Sequence, residues 1–138
     1  MTPPEKRTAR ILLVDDYQPL ISSYIFRITD LLEEQGYQRA DIMIDTANNG
    51  EEALKKVIAA PSIDLILTDF EMPVMDGFKL YQSLSPELQK KTVFMTGIPH
   101  VLKKNLSSLK ETDYKHPLVI DKADLIDEIN GLLQQYLS

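Results

Sequence analysis

The chain of 138 residues has no cysteine and no tryptophan. Disulfide staples, thiolate catalysis and cysteine-ligated metals are therefore excluded at the outset. Only two histidines are present, His100 and His116. Both fall in segments that read as loops and take structural or surface roles, away from any zinc chemistry. Of the five glycines, none builds a phosphate-cradling loop after the first strand, so no nucleotide or organic cofactor is expected. Apolar runs stop after a few residues, far short of the roughly 20 that span a bilayer. The amino terminus MTPPEKRTAR carries charge without an apolar core, so neither a membrane span nor a signal peptide is expected and a cytoplasmic location is. Positive charge is the minority sign, with 15 Lys and Arg against 21 Asp and Glu for a net charge of -6. The compact basic pair Lys103-Lys104 reads as a solvated helix face, and no direct contact with nucleic acid is expected.

What remains suits one folded domain. Hydrophobic residues make up 43% and charged residues 26%, and this length holds a core without a metal or disulfide. A polar tail over 1–9 precedes a domain over 10–138. Ile11 to Val14 is a continuous apolar run, the pattern of a strand covered on both faces, and it ends on Asp15-Asp16. Leu20, Ile21, Tyr24, Ile25, Ile28, Leu31 and Leu32 then recur at helical spacing up to Gly36, which predicts a long first helix. The unit repeats. Strands are predicted at Ile42–Ile44, Ile63–Leu67, Val93–Met95 and Leu118–Ile120. A second helix, capped by Asn48 or Asn49, carries Ala53, Leu54, Val57 and Ile58 on one side. Further helices are predicted over Asp76–Leu84, Val101–Leu109 and Leu125–Tyr136, with a surface turn at Pro86. Five strand and helix units joined by right-handed crossovers give an α/β fold, a doubly wound five-stranded parallel sheet with five helices.

In such a sheet ligands gather at the carboxyl ends of the strands. Asp15 and Asp16 close the first strand, Asp69 the third, Thr96 the fourth and Asp121-Lys122 the fifth. Taken singly, an acidic pair caps a helix, a threonine bonds backbone and a lysine faces solvent. Taken together, three carboxylates on one rim repel one another, and a hard divalent cation relieves the conflict. An oxygen-only set suits Mg²⁺. Thr96 adds a neutral donor and Lys122 a compact positive charge, partners for a group with several anionic oxygens. That group is a phosphoryl, and Asp69, fixed by its strand, is its expected acceptor.

These segments resemble the receiver domain of two-component response regulators. "ILLVDD" is similar to that family's acidic pocket, "DLILTDFEMPVMDGF" to its phosphoacceptor strand and turn, "VFMTG" to its switch strand and "LVIDKADL" to the segment carrying its lysine. The resemblance covers about Arg10 to Leu137. It implies a flavodoxin-like sheet of order 2-1-3-4-5 and phosphoryl transfer to Asp69 from a sensor histidine kinase or a histidine phosphotransfer protein. Mg²⁺ would be held by Asp16 and Asp69, by Asp15 directly or through water, and by the backbone carbonyl of Glu71. Lys122 would contact the phosphoryl oxygens and Thr96 would act as the switch. The downstream protein target would read the fourth helix, fifth strand and fifth helix. A stand-alone receiver, monomeric or weakly dimeric, is expected, with no enzymatic turnover beyond its own phosphorylation and autodephosphorylation.

The sequence also departs from that family. Ala123 follows Lys122 where a cis proline is usual, and a cis bond without proline costs about 2.5–4 kcal/mol, so a trans bond or a reshaped loop is expected. Val119 stands at the aromatic switch position, with Tyr114 nearby but not matching. Gly97-Ile98-Pro99 follows Thr96 where a small alanine is usual, and the stretch from Thr96 to Lys122 is longer than typical. Glu71 and Ile98 occupy positions that, in the family the chain resembles, tune how readily water attacks the phosphoaspartate. Val119 and Ala123 motivate an alternative, a pseudo-receiver that binds partners independently of phosphorylation. A phosphohydrolase of the haloacid dehalogenase kind would place its nucleophile on the first core strand and a second aspartate two residues later, which this chain does not.

Overall fold

Parallel strands need a crossover between each pair, and the helices that make those crossovers bury both faces of the sheet. The structure, a computed structural model, describes residues 7–59, 62–97 and 118–137. Its elements are β1 (Ala9–Val14), α1 (Gln18–Glu34), a 3-10 turn (Arg39–Asp41), β2 (Ile42–Ala47), α2 (Gly50–Ala59), β3 (Leu65–Asp69), α3 (Gly77–Ser83), α4 (Pro86–Gln89), β4 (Thr92–Thr96), β5 (Leu118–Asp121) and α5 (Leu125–Leu137). All strand pairs are parallel, in the order β2-β1-β3-β4-β5. The doubly wound sheet of order 2-1-3-4-5 is thus the observed architecture. The helix predicted over Val101–Leu109, together with Ile98, His100, Lys103, Lys104, Tyr114 and His116, lies outside the described residues.

Strand alternation divides the core in two. Ile11, Leu13, Leu65, Leu67, Val93, Met95 and Ile120 face α1 and α5. Leu12, Val14 and Ile66 face the other way, onto Ala53 and Val57 of α2, Leu80 of α3 and Leu84 at the end of α3. The central strands β3 and β4 are buried at every residue, as expected for strands covered on both faces. The first helix runs 17 residues and stops where Gly36 takes φ +98°. There the Gly36 N–H donates to the Glu33 carbonyl and the Tyr37 N–H to that of Leu32, both at 3.0 Å. This is a Schellman termination, and it satisfies two carbonyls the helix end would otherwise leave open.

Three expectations need correction. The third strand spans Leu65–Asp69 rather than Ile63–Leu67, because Asp64 is tied across to β1: its N–H donates to the Arg10 carbonyl at 2.8 Å and its Oδ2 accepts the Arg10 N–H at 2.9 Å. Pro86 opens a single helical turn rather than a surface turn, since Ser85 caps it by accepting the Leu88 N–H. Ile58 is 78% exposed and not part of the buried face of α2. Ala53 and Val57 make that face, at a spacing that leaves Ile58 one position too far round. The cap of α2 is Asn49, whose Oδ1 accepts the Glu52 N–H, while the Glu52 carboxylate reaches back to the Asn48 N–H.

The outer margin of β2 is partly occupied. Ala47 turns its carbonyl inward to the Asp15 N–H, so Thr46, Ile44 and Ile42 turn their backbone groups outward. The Thr46 N–H donates to Asp45 Oδ1 and its carbonyl accepts from Lys56 Nζ. The Ile42 N–H donates to the Arg39 carbonyl. No described helix is long and apolar enough to cross a membrane.

Among the described residues, the backbone is strained at Val74. Val74 has φ +70°, and the Met75 N–H donates to the Pro73 carbonyl at 2.8 Å across it. That is a γ-turn in the left-handed region, an outlying conformation for a β-branched residue. Its side chain is 75% exposed, so little burial offsets the strain. Replacing Val74 by glycine is expected to raise stability by about 1 kcal/mol, read as a higher urea midpoint. At an unstrained exposed position the same change would lower it.

Candidate functional site

The rows of side chains that build the α1/α5 face continue past the hydrocarbon into charge. Asp15 lies two residues beyond Leu13, Asp69 two beyond Leu67 and Lys122 two beyond Ile120, and strand alternation keeps each on the face of its predecessor. Lys122 remains in that pattern because its N–H still donates to the Thr96 carbonyl at 2.9 Å, one step past the end of β5. Three distant segments thereby meet at one rim.

Asp15 is fully buried and Asp69 is 7% exposed. Lys122 Nζ lies 3.1 Å from Asp15 Oδ2 and 3.2 Å from Asp69 Oδ2, bridging the two carboxylates. Their other oxygens are held by backbone. Asp15 Oδ1 accepts the Tyr17 N–H at the entry to α1, and Asp69 Oδ1 accepts the Phe70 N–H, both at 2.9 Å. Asp16 is exposed, yet one carboxylate oxygen from each of Asp15, Asp16 and Asp69 lies within 4.8 Å of the others. Burial, and then the charge of Asp15, push the Asp69 carboxyl up to about 6 against the opposing pull of Lys122. Burial also disfavours the Lys122 charge, but its hydrogen bond to Asp15 and the fields of both carboxylates outweigh this and hold its pKa above the ordinary value.

Every site residue expected from the sequence falls on this rim or at its edge. Thr96 is buried at the end of β4, in register with Asp121. Glu71 lies in the loop after β3, two residues beyond Asp69, with an exposed side chain. The Lys122–Ala123 bond is trans. Because alanine keeps its N–H where proline has none, Ala123 donates to Asp121 Oδ1 at 3.0 Å, and the Asp124 N–H closes the turn onto the Asp121 carbonyl at 2.9 Å. This small turn fixes the base of Lys122. Val119 is half-buried and packs against the ring cluster of Phe70, Tyr81 and Phe94.

Gly77, which the sequence places at the start of the third helix, has a sharper role in the structure. A Cβ there would stand 2.1 Å from the Asp69 carbonyl oxygen, while the Gly77 N–H donates to the Phe70 carbonyl. The glycine lets α3 start directly beneath the acceptor residue. The signal was present in the Asp76-Gly77 pair, where Asp76 caps α3 by accepting the Lys79 N–H. Tyr24 was assigned to the core stripe of α1; it is buried, and among the described residues its hydroxyl has no hydrogen-bond partner.

Residues 11–113 match the family model of the response regulator receiver domain. A probable transcriptional regulator of Cyanidium caldarium is 36% identical over 72% of this chain and 36% of its own length. A protein-glutamate methylesterase/protein-glutamine glutaminase of Methanosarcina acetivorans is 30% identical over 93% of this chain and 32% of its own. The chain thus spans about a third of the length of these relatives. Among solved structures, the Thermotoga maritima response regulator TrrA in complex with Mg²⁺-BeF superposes with a TM-score of 0.66 at 30% identity, covering 94% of this chain and 100% of that one. The Vibrio cholerae chemotaxis protein CheY4 gives 0.67 at 25% identity, covering 94% and 99%.

Two outcomes follow from the geometry. Gly77→Ala is expected to cost about 2–3 kcal/mol in chemical denaturation, because the methyl must displace the Asp69 backbone. The raised Asp69 carboxyl makes the folded, metal-free protein hold its proton better than the unfolded chain. Its contribution to stability is complete below the ordinary carboxyl value of 3.8 and is lost as pH rises through about 6. In chelator, stability measured against pH is expected to shift in favour of Asp69→Asn by about 2–3 kcal/mol between pH 4 and pH 7.5. A parallel pair of curves would contradict the assignment.

Proposed function

The chain belongs to the response regulator receiver family, and on that premise we propose that it accepts a phosphoryl group on Asp69 from a phosphohistidine and thereby changes a protein-binding surface. The observation that carries this reading is the convergence of Asp15, Asp16 and Asp69 with Lys122 at a single rim. An Asp69 carboxylate oxygen attacks phosphorus and the phosphorus–nitrogen bond of the donor breaks. The electron pair of that bond stays on the imidazole nitrogen, which takes a proton. Little covalent work is required of the protein beyond placing the acceptor and neutralising the transferring oxygens.

Three carboxylates with one ammonium leave net negative charge in a pocket that, among the described residues, has no histidine or sulfur ligand, a donor set that fits Mg²⁺. Asp15, Asp16, Asp69 and the backbone carbonyl of Glu71 would hold it, and when bound it supplies positive charge to the phosphoryl oxygens. Lys122 contributes the second cation and orients the group. Thr96 serves as the switch. Its carbonyl accepts the Lys122 N–H, so a displacement of Thr96 toward the phosphoryl group is passed along the backbone to the segment carrying Lys122.

The donor is a sensor histidine kinase or a histidine phosphotransfer protein. The downstream target reads the helix expected over Val101–Leu109 together with β5 and α5, where Leu118 and Ile126 are already 42% and 39% exposed. The receiver occupies 10–138 behind a polar tail over 1–9, works in the cytoplasm as a monomer or weak dimer, and performs no turnover beyond its own phosphorylation and autodephosphorylation.

Incubation with Mg²⁺ and a small phosphodonor tests the reading by mass and amide spectrum. The expected result is one added phosphoryl group, abolished by Asp69→Asn and by chelation, with shifts reaching Thr96. An equal adduct on Asp69→Asn, or none on the wild-type chain, would sink it.

A further inference from the structure

Helix α2 buries Leu12 and Val14 through Ala53 and Val57, and the sheet stays open where that cover stops. Earlier on the strands, Arg10 of β1 stands beside Met43 of β2, as Leu12 stands beside Asp45. Strand alternation puts all four on the α2 face, and Met43 is 42% exposed there. With Lys56 of α2 and Ile63 they line a half-open cavity of about 440 Å³. That size falls within the range of about 300–1,000 Å³ usual for small-molecule sites. The cavity lies toward the other end of the sheet from the acidic rim, since Arg10 and Asp15 stand about 17 Å apart along β1 at roughly 3.3 Å per residue.

Two cations line this cavity, and the chain treats them differently. Lys56 is committed: its Nζ lies 2.9 Å from Asp45 Oδ1 and 3.7 Å from Glu52 Oε1, and it donates to the Thr46 carbonyl. Arg10 is half-buried, and among the described residues its guanidinium has neither an ion pair nor a hydrogen bond. Asp64 does not supply one, because its Oδ2 accepts the Arg10 backbone N–H instead. Five N–H donors in a rigid fork, partly withdrawn from water and met by nothing in the chain, match an anion that accepts in bidentate fashion. Leu12, Met43 and Ile63 beside the fork are hydrocarbon, so the anion that fits carries an apolar body. The carboxylates of Asp45 and Asp64 penalise a second negative charge, which favours a carboxylate over a phosphate monoester.

We propose that this cavity binds a small monoanionic carboxylate with an apolar body, the Arg10 guanidinium pairing with the carboxylate while Leu12, Met43 and Ile63 receive the hydrocarbon. Lys56, held by Asp45 and Glu52, forms a fixed wall and leaves the anion to Arg10. The site is separate from the acidic rim and does not rest on the reading of Asp69.

The test titrates the intact chain with phenylbutyrate, with the uncharged phenylbutanol and with phenylbutyl phosphate, followed by amide spectra. The carboxylate is expected to saturate, with shifts centred on Arg10, Met43, Lys56 and Ile63, and to bind about ten-fold more tightly than the alcohol. That comparison needs no variant to fold. Arg10→Gln keeps the backbone tie to Asp64 and should lower carboxylate affinity about ten-fold while leaving the alcohol unchanged. Arg10→Lys should recover part of the loss, since an ammonium keeps the charge without the fork. Asp69→Asn should bind the carboxylate as the wild-type chain does. Equal affinity for acid and alcohol, full affinity in Arg10→Gln, a loss on Asp69→Asn, or shifts that fail to saturate or gather at Asp15 and Lys122 would each overturn the inference. Tighter binding of the phosphate than of the carboxylate overturns the assigned ligand class.

Discussion

Two carboxylates drawn to the edge of a hydrocarbon core repel each other, and one ammonium holds them side by side. The bridge from Lys122 to Asp15 and Asp69 is the interaction on which the arrangement of the rim depends. It joins the ends of β1 and β3 to the turn after β5 across 107 residues of sequence. A buried pair of this kind contributes little to stability by itself, since desolvation opposes the attraction. Its value is in geometry: remove the ammonium and an uncompensated charge is left behind, so the three segments keep their relative positions. Because one positive charge faces at least two negative ones, the rim keeps an appetite for further cations.

Around this bridge the backbone leaves little slack. Asp69 is held at its carboxylate by the Phe70 N–H and approached at its carbonyl by Gly77. The next loop bends through the strained Val74 and ends with the Met75 carbonyl accepting the Gly50 N–H at 2.7 Å. Met75 also lies against Gly50 so closely that a Cβ there would meet its Cγ at 2.7 Å. On the other side Phe70 joins Tyr81 and Phe94, whose ring centroids are 5.5 Å apart, with Val119 packed against them. A valine here closes the cluster as a short, stiff wall. At this position β5 therefore meets the cluster through a side chain that cannot swing as a large ring does.

Much of this was legible in the residue pattern because burial on both faces writes itself as continuous apolar runs. Ile11 to Val14 and the stretch before Asp69 could hardly be anything else, and the acids at their ends followed from the geometry of parallel sheets. The limits of the strands were harder to read. Asp64 fell inside the strand expected from the pattern and is instead a side-chain tie to β1, so β3 starts at Leu65. Ile58 looked like core on helical spacing, but one position of rotation carried it into solvent. Tyr24 matched the stripe of α1 perfectly, and periodicity says nothing of where a hydroxyl at the tip of a core side chain will end up. The close approach at Gly77 depends on the path of two chain segments in space, and no local propensity records it.

The outer margin of β2 has a different significance. A free strand edge is a template on which a second chain can lay itself down. Here Thr46 has both of its outward backbone groups taken by Asp45 and Lys56, and Ile42 has its N–H turned back to Arg39. On β2, among the described residues, the stretch around Ile44 still offers a pairing edge, too little to register an added strand. The side chains of Asp45 and Lys56 thus act as a selvedge on β2, leaving this margin of an isoleucine-rich sheet a poor template for a second copy.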